Sequence, residues 1–172
     1  MLTLESLNAD KPLYVFLAIE FAEKALPIWE QKYPEDMRPR KAIEAAKEWL
    51  SNPSDAATNA AADAANAAYA AAYADDVATA AAYAAAYAAY AAANDATNAG
   101  ANAYAAYAAN DAANALGADR EALIHKVILE NLDWILQYKI ESGQSFAQPE
   151  LIFDYLDEEK KQSFLFNLDA VA

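Results

Sequence analysis

The amino-acid sequence predicts an all-α protein, a compact multi-helix bundle or array whose alanine-rich central helices pack closely together. Two observations lead to this prediction. Between residues 56 and 115, 36 of 60 residues are alanine, the residue with the highest intrinsic helix propensity. Outside this tract, large apolar residues recur every three or four positions, which is the spacing of one helix face. We expect a single helical domain over 1–172, with N-terminal helices over 1–52, Ala/Tyr-rich helices over 53–116 and C-terminal helices over 117–172.

The first region predicts two helices joined by a loop between prolines. Asn8 or Asp10 can cap the first helix by accepting a hydrogen bond from a free backbone N–H, and Pro12 fits its first turn. Pro27 is expected to bend or end this helix. The second helix is predicted over 41–50. The apolar stripe of the first helix follows at helical spacing and consists of Tyr14, Leu17, Phe21, Ala25 and Ile28.

The middle region predicts three helices that break near Asp75 and Asp95. Its larger residues are separated by steps of three or four, which places them on one helix face. They are Asp63, Asn66, Tyr69, Tyr73, Asp76, Thr79, Tyr83, Tyr87, Tyr90 and Asn94. The pattern restarts at Asp55, Asp76 and Asp95, and aspartate is a good helix N-cap. The alternative is one continuous helix of roughly 60 residues and 90 Å, which would find little to bury against in this chain.

The third region predicts one long helix that is capped by Asp119 and ended by Gly143. Pro149 then opens a short helix, and the segment SFLFNL over 163–168 predicts a last one. The apolar residues of the long helix cover a broad face, so we expect it in the core. They are Leu123, Ile124, Val127, Ile128, Leu132, Ile135 and Leu136.

Composition and charge argue against several classes of function. The formal net charge is −14, which disfavours direct binding to nucleic acid or to an anionic membrane surface. The absence of cysteine excludes disulfides and thiol catalysis. No uninterrupted run of 18 apolar residues and no signal pattern are found, so we expect no membrane partner and a cytoplasmic location.

Few residue patterns in the chain point to catalysis or to a bound cofactor. The single histidine, His125, lies inside a predicted helix, where a packed or half-exposed role is the simplest interpretation. The pair Asp75-Asp76 could bind a hard cation, although a helix cap with a solvated neighbour is the simpler explanation. The three glycines form no phosphate-binding loop. We therefore expect no enzyme activity, no cofactor and no metal site.

A stripe of tyrosines with acid and amide neighbours is the most specific feature of the middle region. Tyrosine offers a large contact area at low entropic cost and attracts cations. One interpretation is therefore an acidic, aromatic surface that binds a partner. The other is that the tyrosines pack against the terminal helices with their hydroxyls at the rim. The candidate binding residues are Tyr69, Tyr73, Asp76, Tyr83, Tyr87, Tyr90, Asn94, Tyr104 and Tyr107.

The loop before the second helix contains a second motif, YPEDMRPR, which begins at Tyr33 and continues as KAIEAA. Arg38 and Arg40 flank a proline at a helix start, close to Asp36 and Glu44. The two guanidinium groups can therefore hold the loop to a neighbouring carboxylate. We interpret these five residues as structural.

The segment over 25–50 resembles the Imm5-like immunity protein family, whose pattern YPxDxRPRxAIEAA precedes a variable alanine-rich tract. The resemblance covers the motif and, by composition, the tract to about residue 116. It implies an all-helical protein of bacteria, phages or other mobile elements that is associated with toxin or defence systems. The resemblance carries no catalytic residues.

We hypothesise a non-enzymatic interaction protein that binds and inhibits a protein partner with a basic surface. A toxin or a phage-defence nuclease or effector fits, and an anti-CRISPR role follows the same physics. The alternative is a helical module that binds a small molecule or nucleotide in a tyrosine-lined pocket. An enzyme with paired carboxylates and a structural spacer are further alternatives. Alanine faces can also pack between chains, which is compatible with a homo-oligomer.

Overall fold

The protein is all-α, as the sequence predicts. The computed structural model describes residues 1–72, 77–93, 98–158 and 160–161. Its regular elements are one short 3-10 helix and eight α-helices among these residues. No helix in the described part of the chain is both long and apolar enough to cross a membrane.

The helices follow one another with short connections. After the 3-10 helix Glu5–Leu7 come α1 (Lys11–Lys32), α2 (Arg38–Ser51), α3 (Asp55–Ala71), α4 (Val77–Ala93), α5 (Asn98–Leu116), α6 (Arg120–Glu130), α7 (Leu132–Ser142) and α8 (Pro149–Phe153). They form two compact units, one of residues 10–123 and one of residues 1–9 with 124–172. The expectation of a single domain over the whole chain stays a prediction.

Helix α1 confirms the predicted cap and continues past Pro27, so of the two predicted effects of this proline the helix end is wrong. The Asp10 side chain accepts a hydrogen bond from Leu13 N at 3.3 Å, and Pro12 lies in the first turn. The helix does not end at Pro27 but continues to Lys32. Pro27 lies on the exposed side of the helix, where water can satisfy the carbonyl that loses its N–H partner.

Helix α2 begins three residues earlier than predicted, at Arg38, because Pro39 falls in its first turn. It runs antiparallel to α1, as two ion pairs between the helices show. Arg40 pairs with Glu30, and Lys47 pairs with Glu23, in each case at 2.6 Å.

The middle region forms three helices rather than one rod, as we predicted, and α4 is the central one. It packs against α3 and α5 on its flanks and against both α1 and α2. Nine of its alanines have no exposed surface. Because alanine side chains are small, four neighbouring helices can approach the α4 backbone closely. The predicted break points, Asp75 and Asp95, lie outside the described residues.

The large apolar residues that cover these alanines come mainly from α1 and α2. In α1 they include Leu17, Phe21 and Trp29, and in α2 they include Ile43 and Trp49, all of them buried. In the core of this unit, large side chains from the layer of α1 and α2 therefore pack against alanine faces from the layer of α3, α4 and α5. Ile28, assigned to the predicted stripe, is only half-buried.

The second unit corrects the prediction of one long C-terminal helix. The helix breaks at Asn131 into α6 and α7. The Asn131 side chain donates to Val127 O at 3.0 Å, and its backbone N–H is shared between Val127 O and Ile128 O. An asparagine side chain that competes for a helix carbonyl in this way disturbs the regular bonding of the helix. Asp119 and Gly143 cap as predicted, whereas the segment 163–168 lies outside the described residues.

Residues from both ends of the chain build this second unit. Leu2 N donates to His125 Nδ1 at 3.0 Å, so the single histidine has a structural partner. The buried ammonium of Lys139 donates to the Asn8 carbonyl at 2.7 Å. Ser6 O accepts from Ala147 N at 3.1 Å. These bonds tie the first nine residues to the C-terminal helices.

We expect Ala85→Leu to lower the free energy of unfolding by about 1–3 kcal/mol, because extra methyl and methylene groups have no room in a closely packed core. Ala85 has no exposed surface and lies on the central helix α4. The measurement is urea unfolding followed by circular dichroism. Ala60→Leu, at an exposed position of α3, is the matched control and should change stability by less than about 0.5 kcal/mol. Equal effects of the two substitutions would contradict the close packing of α4.

Candidate interaction surface

Six tyrosines from three helices meet in one continuous cluster, which we call the tyrosine cluster. Tyr69 comes from α3, three members come from α4, and two come from α5. Each ring contacts at least one other ring of the set. The members are Tyr69, Tyr83, Tyr87, Tyr90, Tyr104 and Tyr107.

Tyr87 lies at the centre of the tyrosine cluster. Its ring centroid is 5.3 Å from that of Tyr107, 6.1 Å from Tyr104, 6.4 Å from Tyr83 and 6.5 Å from Tyr90. These separations are typical of favourable aromatic pairs. The rings therefore support one another and limit the rotamers that each can adopt.

The helix spacing explains why these rings gather. Tyr83, Tyr87 and Tyr90 recur along α4 at steps of four and three, on the side opposite the fully buried Ala85 and Ala92. The α3–α4 and α4–α5 pairs run antiparallel, since residues equally far from each connection contact one another. The tyrosine rows of the three helices therefore lie side by side.

The tyrosine cluster reaches solvent rather than being sealed in the core. Tyr107 is 54% exposed and Tyr69 is 36% exposed, and the other four members are half-buried. The rings are therefore accessible at the edge of the cluster, and the choice between the two interpretations that the sequence left open stays a prediction. The half-burial comes in part from contacts within the cluster.

The phenol groups have polar neighbours at the edge of the tyrosine cluster. The Tyr90 hydroxyl donates to Asn66 Oδ1 at 2.7 Å, which links α4 to α3. Burial is the main cause that raises the pKa of both Tyr87 and Tyr90, and the negative charge of Asp111 raises that of Tyr87 further. The hydroxyls therefore remain neutral hydrogen-bonding groups at physiological pH.

Asp111 belongs to this surface, although the sequence analysis did not select it. It lies one turn after Tyr107 on α5 and is half-buried, and side chains one turn apart are neighbours. Burial raises the pKa of Asp111, while hydrogen bonds from the side chains of Asn110 and Asn114 act in the opposite direction. Tyr104, Tyr107 and Asp111 are separated by steps of three and four. This helical spacing could have identified Asp111 from the sequence as a member of the surface.

Three predicted site residues, Tyr73, Asp76 and Asn94, lie outside the described residues. The same holds for the Asp75-Asp76 pair considered as a cation site. Among the residues that the structure does describe, no group of three or more His, Asp or Glu side chains is placed to hold a metal ion.

The YPEDMRPR motif forms a tight, self-bonded turn between α1 and α2. Arg38 Nε donates to Asp36 Oδ1 at 2.8 Å, and a second guanidinium nitrogen lies 2.6 Å from Asp36 Oδ2. This bidentate bond from Arg38 is the main cause that lowers the pKa of Asp36. Trp29 Nε1 donates to the Asp36 carbonyl at 3.0 Å, and the Trp29 and Tyr33 rings are 4.5 Å apart.

The second arginine of the motif has a different partner from the one expected. Arg40 Nε donates to Glu30 on α1 at 2.6 Å, whereas we expected it near Glu44. Glu44 is exposed on α2. The antiparallel pairing of the two helices brings Glu30 to Arg40, and this register depends on tertiary packing. The structural interpretation of the motif stays a prediction.

We expect Asp36→Asn to lower the free energy of unfolding at pH 7 by less than about 1 kcal/mol, since the pair is partly exposed and screened by solvent. Because the folded pKa of Asp36 lies below its ordinary value of 3.8, its contribution is complete above 3.8 and is lost as the pH falls through the lowered value. Urea unfolding should therefore show a gap between the two proteins at pH 7 that closes at strongly acidic pH. A gap that persists unchanged in acid would contradict this assignment.

Asp111→Asn is expected to raise the free energy of unfolding at pH 7, by less than about 1 kcal/mol because water still reaches the carboxyl group. Burial raises the pKa of Asp111 above its ordinary value of 3.8. The folded state then holds the proton more tightly than the unfolded state, so stability falls as the pH rises through this interval. Asparagine does not ionise, so the variant lacks this loss of stability with rising pH. Urea unfolding at pH 7 and pH 3 checks the sign, and a less stable variant at pH 7 would show that the charge is favourable in the free protein.

The YPEDMRPR motif and the tyrosine cluster both lie in the part of the chain that matches a known protein family. A family model described as "Imm-5 like putative immunity protein" matches residues 7–130, which is well over half of the chain. Neither the curated proteins nor the solved structures contain a significant match. The family match extends beyond the tract to which the sequence resemblance was traced. The chain belongs to the Imm5-like immunity protein family.

Proposed function

We propose that this chain is a non-enzymatic interaction protein that binds and inhibits a protein partner, such as a toxin or a phage-defence nuclease or effector. Membership of an immunity protein family supports a protein-binding role in general. The tyrosine cluster is the surface through which we propose that binding occurs. Its geometry is the single observation that supports this assignment most strongly.

The tyrosine cluster has the properties of a preorganised binding surface. Tyrosine is enriched at interface hot spots because it presents a large, amphipathic area with few rotatable bonds. Here the rings already contact one another, with Tyr87 at the centre. A partner that docks on them would therefore lose little additional side-chain entropy. Exposed asparagines beside them on α3 and α5, such as Asn66 and Asn110, supply adaptable hydrogen bonds.

The charge distribution supports a partner with a basic surface. No lysine or arginine occurs between Lys47 and Arg120, a span that contains α3, α4 and α5. Charges of opposite sign accelerate encounter and discriminate against acidic partners. Nucleases and other nucleic-acid-binding effectors carry basic grooves, so they fit this requirement.

A tyrosine-lined pocket for a small molecule or nucleotide is the alternative function. The rings of the cluster contact one another, and its most exposed ring, Tyr107, is 54% exposed. This arrangement favours a protein partner over a bound small molecule.

The test is affinity capture from the native host with wild-type chain and with Tyr107→Ala as baits. Tyr107 is 54% exposed, so its truncation should leave the fold intact. We expect the variant to retain roughly tenfold less of the specific partner, which corresponds to about 1.4 kcal/mol. Capture by the wild type should also weaken at high salt, because salt screens charge attraction.

Tyr155→Ala is the matched control, since Tyr155 is a 39% exposed tyrosine outside the cluster. It should capture the partner as the wild type does, and thermal unfolding should confirm that both variants fold. The captured protein is then purified, and its activity should fall on addition of wild type but not of Tyr107→Ala. If Tyr107→Ala captures and inhibits the partner as well as the wild type, the tyrosine cluster is not the binding surface.

A further inference from the structure

Asp111 is a half-buried carboxylate at the α5 side of the tyrosine cluster. It lies one turn beyond Tyr107, and its charge reaches the hydroxyl of Tyr87. The carboxylate is also held in place, because Asn110 Nδ2 donates to Asp111 Oδ1 at 3.3 Å and Asn114 adds a second side-chain hydrogen bond. The Asp111 carboxylate is therefore an oriented hydrogen-bond acceptor at the edge of the tyrosine cluster.

No cation among the residues that the structure describes forms an ion pair with that carboxylate. Among the ion pairs formed within the described residues, none includes Asp111. The sequence offers no lysine or arginine on α3, α4 or α5 that could approach it. A partly desolvated charge without a counter-ion opposes folding, so its presence within an aromatic surface suggests that it acts on something outside the chain.

We propose that Tyr87, Tyr107 and Asp111 form a recognition site for an arginine side chain of the protein partner. The guanidinium plane lies against the tyrosine rings, and its N–H groups donate to the Asp111 carboxylate. This inference rests on the proposed function and identifies the group that the tyrosine cluster recognises.

Arginine fits this site better than lysine for two physical reasons. Its planar guanidinium stacks on aromatic rings, and it is more weakly hydrated than an ammonium group. It can also donate two parallel hydrogen bonds to one carboxylate while it remains on the ring. Tyr107 supplies an exposed ring for the stacking contact. Asp111, which is oriented by Asn110 and Asn114, supplies the carboxylate that accepts the hydrogen bonds.

The site also explains why a destabilising charge is placed on α5. In the free protein, burial disfavours the ionised Asp111 carboxyl group. A bound guanidinium would neutralise the charge and satisfy its remaining acceptor positions. Binding energy then arises in part from the relief of an unfavourable state of the free chain, which increases the discrimination against partners without an arginine.

The test is titration of the full-length chain with a capped peptide of three arginines separated by glycines, followed by NMR of the tyrosine rings. Matched peptides contain lysine or citrulline in place of arginine. We expect the arginine peptide to bind about threefold more tightly than the lysine peptide and about tenfold more tightly than the neutral citrulline peptide. The ring signals of Tyr87 and Tyr107 should shift. Equal binding of the arginine and lysine peptides would overturn the proposal.

Asp111→Asn keeps the shape of the side chain and removes its charge. We expect it to weaken binding of the arginine peptide about fivefold, and since it should not lower stability, unfolding cannot account for the loss. Glu48→Gln removes one negative charge at an exposed position of α2 and should change affinity less than about twofold. Equal effects of the two substitutions would mean that only net charge matters and would overturn the arginine site.

The same variants separate this inference from the proposed function. If Tyr107→Ala loses the captured partner but Asp111→Asn retains it with unchanged affinity, the arginine site is wrong and the binding surface stands. If Tyr107→Ala itself retains the partner, the tyrosine cluster is not the binding surface, and the arginine site is wrong as well. Loss of the partner by both variants, with retention by Glu48→Gln, supports both proposals.

Discussion

The close contact of alanine faces around α4 is the constraint on which the rest of the larger unit depends. Because the side chains of Ala85, Ala92 and their neighbours on α4 end at one methyl group, helices on several sides can approach its backbone. The same choice of residue leaves little apolar area for α4 to bury. Large side chains must therefore come from elsewhere, and α1 and α2 supply them with Phe21, Trp29 and Trp49. The unit is thus asymmetric, with bulky residues on one layer and small residues on the other.

This asymmetry determines where the tyrosines lie. A ring on the alanine side of α4 would separate the two layers, so the row containing Tyr87 can only occupy the remaining face. There the rings of α3, α4 and α5 contact one another and cover the outer side of the three-helix layer. The tyrosine cluster therefore contributes to stability through ring contacts and at the same time presents a rigid aromatic surface. Both roles follow from one packing arrangement, and a binding surface formed in this way needs little reorganisation.

Charge is divided between the same two layers. Two basic residues of α2, Arg40 and Lys47, pair with Glu30 and Glu23 of α1, so they link the two helices of one layer. The other layer contains acids and amides but no base. Asp111 therefore has no counter-ion in its own layer, and a cationic partner is the simplest source of one. Surface pairs such as Arg40–Glu30 contribute modestly to stability, and the antiparallel packing of α1 and α2 is what brings their members together.

Local features of the sequence by themselves determined the helical class, a cap at Asn8 or Asp10, the cap at Asp119, and the separation of alanine and tyrosine rows on different helix faces, because propensity, capping and period act within a few residues. Tertiary structure alone decided which faces meet. Helix α1 continues past Pro27 to Lys32, and α6 and α7 are separate helices where the apolar pattern reads as continuous. Contacts between residues distant in sequence paired Arg40 with Glu30, joined the first nine residues to the C-terminal helices and placed the Tyr107 ring against that of Tyr87. Such contacts depend on how whole helices pack, and no local pattern specifies that.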